Sequence, residues 1–207
     1  MRKNFFITLE GGEGVGKSTA MDFIRAYCEN KNMACVFTRE PGGTKIGESI
    51  RDLLLHHRTL TICPQTELLL MFAARAQHLN EVIHPALSAG KTVISDRFTD
   101  ASFAYQGGGR QMPLSHIQLL TDYVQGGFQP DLTLLLDAPV EIGLARMNQR
   151  GEKDRIEEEN AAFFNRVRES YLQRAKAFPE RFSIIHADQS IDNVQSQIKI
   201  ALDKLVQ

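Results

Sequence analysis

The chain lacks most of the features that mark a secreted, membrane-bound or nucleic-acid-coating protein. Its three cysteines, Cys28, Cys35 and Cys63, are an odd set without C-x-x-C spacing. That argues against a disulfide framework and a zinc site, and for reduced thiols in a cytoplasmic protein. No apolar run reaches the ~20 residues that span a bilayer, and the first apolar stretch, Phe5–Leu9, begins too early to leave room for a cleaved leader. No membrane partner is therefore expected. Charge is not skewed either, with 24 Lys and Arg against 25 Asp and Glu, so a nucleic-acid partner is not expected. The guanine-reading Asn-Lys-x-Asp motif of GTPase switches is missing, since Asn30-Lys31 continues as Asn32-Met33. No repeat, low-complexity tract or linker divides the 207 residues, a length that suits one domain with its own core.

Against those absences stands Gly11-Gly12-Glu13-Gly14-Val15-Gly16-Lys17-Ser18, which fits G-x-x-x-x-G-K-[ST]. The apolar, β-prone Phe5–Leu9 precedes it and a helical pattern from Thr19 to Tyr27 follows. Strand, glycine loop and helix together are the context this motif requires. Glycines let the backbone turn successive N–H groups inward on an anion, beside the positive end of a helix. Lys17 would reach the β- and γ-phosphates and the Ser18 hydroxyl would ligate Mg²⁺. The residues predict binding of a nucleoside triphosphate.

Apolar, β-branched runs recur at Phe5–Leu9, Ala34–Thr38, Thr92–Ser95, Leu132–Leu136 and Phe182–His186, without clean alternation. Strands covered on both faces of a parallel sheet read this way. Helical stretches separate them at Lys17–Lys31, Ile46–His57, Pro64–Ala89, Pro113–Gln125, Val140–Gln149, Glu157–Phe178 and Ile191–Val206. The expected fold is α/β: a doubly wound, five-stranded parallel sheet with helices on both faces, its ligand site at the carboxyl ends of the strands.

Four further segments carry chemistry. Thr38-Arg39-Glu40-Pro41-Gly42-Gly43-Thr44 follows the second strand, where an arginine suits bidentate capture of phosphate; an ordinary surface turn would read the same. Ser95-Asp96-Arg97-Phe98 closes the third strand, placing a carboxylate to orient hydrated Mg²⁺ and an arginine towards a transferred phosphoryl group. Arg146, Arg150 and Arg155 flank the charged break Gly151-Glu152-Lys153-Asp154, which reads as a mobile basic lid or as a solvated helix surface. Met71 and Arg75 share a helix face; with Phe72 they suit a nucleobase pocket or plain core packing.

Behind the phosphate loop, the Thr38–Thr44 segment, Asp96-Arg97-Phe98, Ala104-Tyr105-Gln106-Gly107-Gly108-Gly109 and Pro130-Asp131-Leu132-Thr133 follow in that order. In them the chain resembles the bacterial thymidylate kinases, from the first strand to the Ala187-Asp188-Gln189-Ser190 turn. The resemblance implies a phosphate-loop kinase of one domain, residues 1–207, with a lid at about 146–157. It implies transfer of the γ-phosphoryl group of ATP to dTMP, with Mg²⁺, in a homodimer. ATP would lie on Gly11, Gly12, Glu13, Gly14, Val15, Gly16, Lys17, Ser18 and Thr19, with Arg146 and the Ala187–Gln189 turn beside adenine. Ser18, and Asp96 through water, would hold the metal.

On the acceptor side, Glu13 would meet the sugar 3′-hydroxyl, and Arg39, Glu40 and Arg97 the acceptor phosphate. Arg51 and Arg75 would approach thymine, Ser102 and Gln106 would line base and sugar, and Tyr105 would pack near the deoxyribose. Lys17, Arg97 and Glu13 would act in the transfer, and Arg150 or Arg155 would bring a catalytic guanidinium, since the loop has no arginine. In one place the chain departs from the pattern: Met71 stands where many relatives carry a stacking Phe, with Phe72 one step on. Either residue could reach the base, Met71 through its polarizable sulfur. The alternative is a kinase of the same fold acting on another nucleotide or small phosphate acceptor.

Overall fold

The computed structural model describes residues 4–55, 61–149 and 154–206. Five strands, β1 (Phe6–Gly11), β2 (Cys35–Arg39), β3 (Thr92–Asp96), β4 (Leu132–Asp137) and β5 (Phe182–His186), form one sheet in the order β2-β3-β1-β4-β5. All pairings are parallel. The order reverses after β1, so the loop that leaves β1 lies at the switch point where such sheets bind ligands.

Alternation along the strands divides the core. Ile7, Leu9 and Ile94 pack on one face with Ile24 of α1 (Lys17–Asn30) and Ile198 of α9 (Ile191–Val206). Phe6 and Val93 point to the other face, towards Leu79 and Ile83. That face also carries α2 (Lys45–Leu55), α3 (Pro64–His78), α5 (Thr99–Ser102), α6 (Leu114–Gln125) and α8 (Ala161–Ala177). The five expected strands and both helical layers are present, each strand within two residues of its predicted bounds.

Two differences have physical causes. The expected helix 64–89 is interrupted: α3 passes through a π-helical turn, Leu79–Ile83, into α4 (His84–Ser88). Pro85 lacks an N–H and its ring would clash with a carbonyl four residues back, so the ladder widens there, with the His84 N–H bonding the Leu79 carbonyl. The second difference is a helix not expected at all. α5 continues as a π-helical segment, Phe103–Gly109, that takes in Gly107-Gly108-Gly109. These glycines permit close packing. A Cβ at Gly108 would lie 2.7 Å from the Arg166 carbonyl oxygen and from Ser170 Cβ, both on α8. α7 (Val140–Asn148) follows β4, and α8 is capped by Asn160, whose Oδ1 accepts from the Phe163 N–H at 2.9 Å.

Candidate active site

The loop from β1 leads directly into the start of α1. Its fit against the neighbouring helix is tight: a Cβ on Gly14, where φ is +68°, would lie 2.1 Å from the Gly143 carbonyl oxygen of α7. Lys17, the first residue of α1, folds over the loop, and its Nζ donates to the carbonyls of Gly12 at 2.7 Å and Gly11 at 3.3 Å. Gly16 and Lys17 with Ser18 and Thr19 line a cavity of about 490 Å³. Gly11, Gly12 and Val15 instead line a second, smaller hollow with Leu136 and Val140.

At the end of β3 the chain turns sharply, and Arg97 takes a left-handed backbone with φ +69°, uncommon for a residue with a side chain. Three bonds hold the turn. The Arg97 N–H donates to Leu9 O at 3.0 Å, the Ser95 hydroxyl to Arg97 O at 2.7 Å, and the Phe98 N–H to Glu10 Oε1 at 2.8 Å. The turn delivers the Arg97 guanidinium into the cavity, where Nη2 donates to Glu13 Oε1 at 2.5 Å and to the Tyr105 hydroxyl oxygen at 2.7 Å. Tyr105 in turn donates to Glu13 Oε1 at 2.8 Å. Burial alone would raise the Glu13 carboxyl, but the charges of Arg97 and Lys17 and these hydrogen bonds outweigh it and bring the pKa down to about 2. Glu13 is thus an anion held between two cations.

α3 forms the opposite wall. Met71 and Arg75 line the cavity with Ala101, Ser102 and Gln106. Arg75 is 2 % exposed, and its Nε donates to Glu40 Oε2 at 2.7 Å while Nη2 donates to Phe98 O at 3.0 Å and Ser102 Oγ at 3.1 Å. His78 lies 2.9 Å from the other Glu40 oxygen. Glu40 thus lines the cavity while holding Arg75 and His78. Phe72 does not line the cavity. One residue along a helix turns about 100°, which carries Phe72 into the core with Leu68, Phe103, Met112 and Ile117 and leaves Met71 on the cavity.

The other predicted residues divide. Arg51, Asp96 and Arg146 line the cavity, with Arg51 Nη1 donating to Pro41 O at 3.0 Å and Arg146 Nη1 to Ala187 O at 3.2 Å. Arg39 stays at the surface in a 2.8 Å ion pair with Glu48 and does not reach the cavity. Arg155 does not reach it either. Its Nη2 donates to Glu67 at 2.5 Å and its Nε to Leu54 O at 2.8 Å, although its neighbours Asp154, Ile156 and Glu157 line the wall. Arg150 lies outside the described residues.

Among the described residues, buried nitrogens and oxygens without a partner concentrate here: Arg75 Nη1, Asp96 Oδ1 and Arg97 Nε. Buried polar atoms are ordinarily satisfied, so three cavity side chains have capacity for a ligand. Sequence reasoning missed Glu10, Glu67 and His78. Glu10 was readable as the one charged residue in an apolar strand, and Glu67 as one turn before Met71 on the same helix face.

The thymidylate kinase family model matches residues 9–198 of the chain. A curated thymidylate kinase of Neisseria gonorrhoeae (strain NCCP11945) is 54 % identical over 198 residues, covering 96 % of each chain. One of Pseudomonas putida (strain GB-1) is 52 % identical over 202 residues, 98 % of this chain and 96 % of the relative. The crystal structure of thymidylate kinase from Ehrlichia chaffeensis superposes with a TM-score of 0.78 at 33 % identity, covering 97 % of this chain and 98 % of that one. With its phosphate loop, the Arg97 turn and the α3 wall facing one cavity, the chain belongs to the thymidylate kinase family.

Proposed function

We propose that this protein transfers the γ-phosphoryl group of ATP to dTMP, giving dTDP and ADP. One observation carries the reading. The phosphate loop and the Met71–Arg75 wall open into a single cavity, and Arg97 stands between them. A donor on the loop and an acceptor on α3 would then meet with their phosphates at Arg97. The attacking phosphate oxygen is already ionised at neutral pH, so no general base is required, and catalysis rests on positioning and charge.

Lys17 and Arg97 would share the charge that develops on the transferring group, with Glu13 orienting Arg97 and Tyr105 through the bonds already described. Met71 would contact the base through sulfur, and Arg75 Nη1 would donate to its edge. Asp96 Oδ1, buried and unpartnered, and the Ser18 hydroxyl fit a hard cation that takes oxygen ligands. Mg²⁺ held there would neutralise charge on the β- and γ-phosphates. Arg150 remains the proposed lid guanidinium, within one domain that carries its lid at about 146–157.

The assembly proposed is a homodimer through α3 and α6, whose Leu69, Leu119 and Tyr123 are 57, 67 and 86 % exposed. A cytoplasmic location agrees with three free thiols. Among the described residues no helix is long and apolar enough to cross a membrane. The test is a phosphotransfer panel of nucleoside monophosphates with ATP and Mg²⁺: dTMP is expected to be the preferred acceptor, and faster turnover of any other monophosphate would refute the assignment.

A further inference from the structure

Glu67 neither lines the cavity nor meets solvent, at 1 % exposure, yet three side chains converge on its carboxylate. Gln106 Nε2 donates to Oε1 at 2.9 Å. Arg110 spans both oxygens, from Nε at 3.3 Å and Nη2 at 3.2 Å, and Arg155 Nη2 donates to Oε2 at 2.5 Å. Burial would raise this carboxyl, but these partners together hold it below the usual carboxylate range, so it is ionised. A buried charge of this kind is costly, and an apolar side chain filling the same space is often as stable. What the carboxylate adds is geometry.

That geometry joins two parts of the cavity. Gln106 is itself a cavity residue beside Met71 and Arg75. Glu67, Met71 and Arg75 follow at four-residue spacing on one face of α3. Arg155 belongs to another stretch of the lining, where Asp154, Ile156 and Glu157 border the cavity. The same stretch is pinned to the end of α2 by Arg155 Nε on Leu54 O at 2.8 Å and the Arg155 N–H on Leu55 O at 3.3 Å. Arg110 extends the link through its ion pair with Glu159.

We propose that Glu67 is a positioning residue that couples the two ends of the site. Through Gln106 it registers a nucleotide in the Met71–Arg75 pocket, and through Arg155 it sets the seat of the wall formed by residues 154–157. The proposal rests on the acceptor reading above. Coupling between two bound ligands is reciprocal, so it is read on either one.

The experiment uses the intact protein and measures affinity for a non-hydrolysable ATP analogue with and without saturating dTMP, together with kcat and both KM values. In the wild type dTMP should tighten the analogue by ~5-fold or more, within the usual range of coupling. Glu67→Gln should reduce that factor to below ~2-fold and lower kcat, leaving analogue affinity without dTMP nearly unchanged. Arg155→Ala should reproduce this, and it stands in if the Gln variant does not fold, because the guanidinium is partly exposed. Arg155→Lys should restore part of the coupling, since it keeps the charge without the fork. Folded variants that melt lower but keep wild-type coupling would overturn the proposal, as would a wild type without coupling. Wild-type protein that binds no dTMP would overturn the acceptor reading itself, and the link with it.

Discussion

Arg75 is both a ligand-facing group and half of a buried ion pair, so replacing it with Ala should have two separable effects. The first is on stability. Glu40 and Arg75 meet at 2.7 Å with side chains 5 and 3 % exposed. Removing one partner of such a pair strands the other, at ~3–5 kcal/mol. His78 at 2.9 Å keeps one Glu40 oxygen paired, which places the expectation towards the lower end. For a chain this size each kcal/mol moves Tm by ~2–4 °C, so a fall of about 6–15 °C is expected. The second effect is on binding. Arg75 Nη1 is buried without a partner, and an unmade bond from it to the acceptor should cost ~1–3 kcal/mol, or ~5–150-fold in dTMP affinity. ATP affinity should hardly change. Urea unfolding and calorimetry with each nucleotide separate the two effects. Glu40→Gln combined with Arg75→Ala should destabilise by less than the two singles added, because the second change removes the stranded charge. A Tm within ~2 °C of wild type for Arg75→Ala would refute the buried pair. Equal loss of both nucleotides would refute the acceptor assignment.

Lys17→Ala should lower kcat by orders of magnitude with the fold intact, because its charge acts on the transferring group; near-normal turnover of purified variant would remove the phosphate-loop assignment. Burial and the Asp100 charge raise the Glu10 pKa to about 8, against hydrogen bonds from Tyr171 and Phe98 and the charge of Arg97. A carboxyl raised above its unfolded value, 4.5, contributes stability fully below that pH and loses it as pH climbs to about 8. Glu10→Gln should therefore flatten the decline in unfolding free energy across that window, and parallel profiles for the two proteins would contradict it. Leu119→Glu should convert a dimer into a 23.3 kDa monomer by light scattering; wild-type protein already monomeric at micromolar concentration would dispose of the dimer. Arg150→Ala should depress kcat by ~10³-fold, the scale of an arginine finger, with dTMP affinity little changed; turnover within a few-fold of wild type would eliminate it as the lid guanidinium.

The sheet was legible because its strands are apolar without alternation and three of them end at a segment singled out for its chemistry, at Gly11, Arg39 and Asp96. The phosphate loop was legible because its spacing is local. What escaped was long-range. Gly107-Gly108-Gly109 reads as a breaker, and only the closeness of α8 explains a helix there. Arg39 and Arg155 were assigned by residue type and place in the chain. Whether a guanidinium reaches a cavity or a nearer carboxylate depends on Glu48 in one case and Glu67 in the other. Glu67 is 88 residues from the arginine it holds, beyond the reach of any local pattern. Met71 and Phe72 were left open because both are apolar and adjacent. Helical phase alone separates them once α3 is seated.

The same diversion of charge explains the makeup of the site. Among the described residues the cavity is lined by five cations, Lys17, Arg51, Arg75, Arg97 and Arg146, and by five carboxylates, Glu13, Glu40, Asp96, Asp154 and Glu157. A set so balanced does not attract two polyanions by its net charge. It works by arrangement, with Glu13 fixing Arg97 and Glu40 fixing Arg75 before any ligand arrives. Such fixed dipoles and charges need little reorganisation during transfer, which is where electrostatic catalysis gains most. The cost is that phosphates brought to this cavity carry more negative charge than its cations offset. The proposed reaction assigns the remainder to groups outside the set, a divalent cation at Asp96 and a further guanidinium. Arg155 is held by Glu67 and Arg39 by Glu48, so neither supplies that guanidinium from its present place. In the proposed reaction that part stays with Arg150, of those assigned from the sequence.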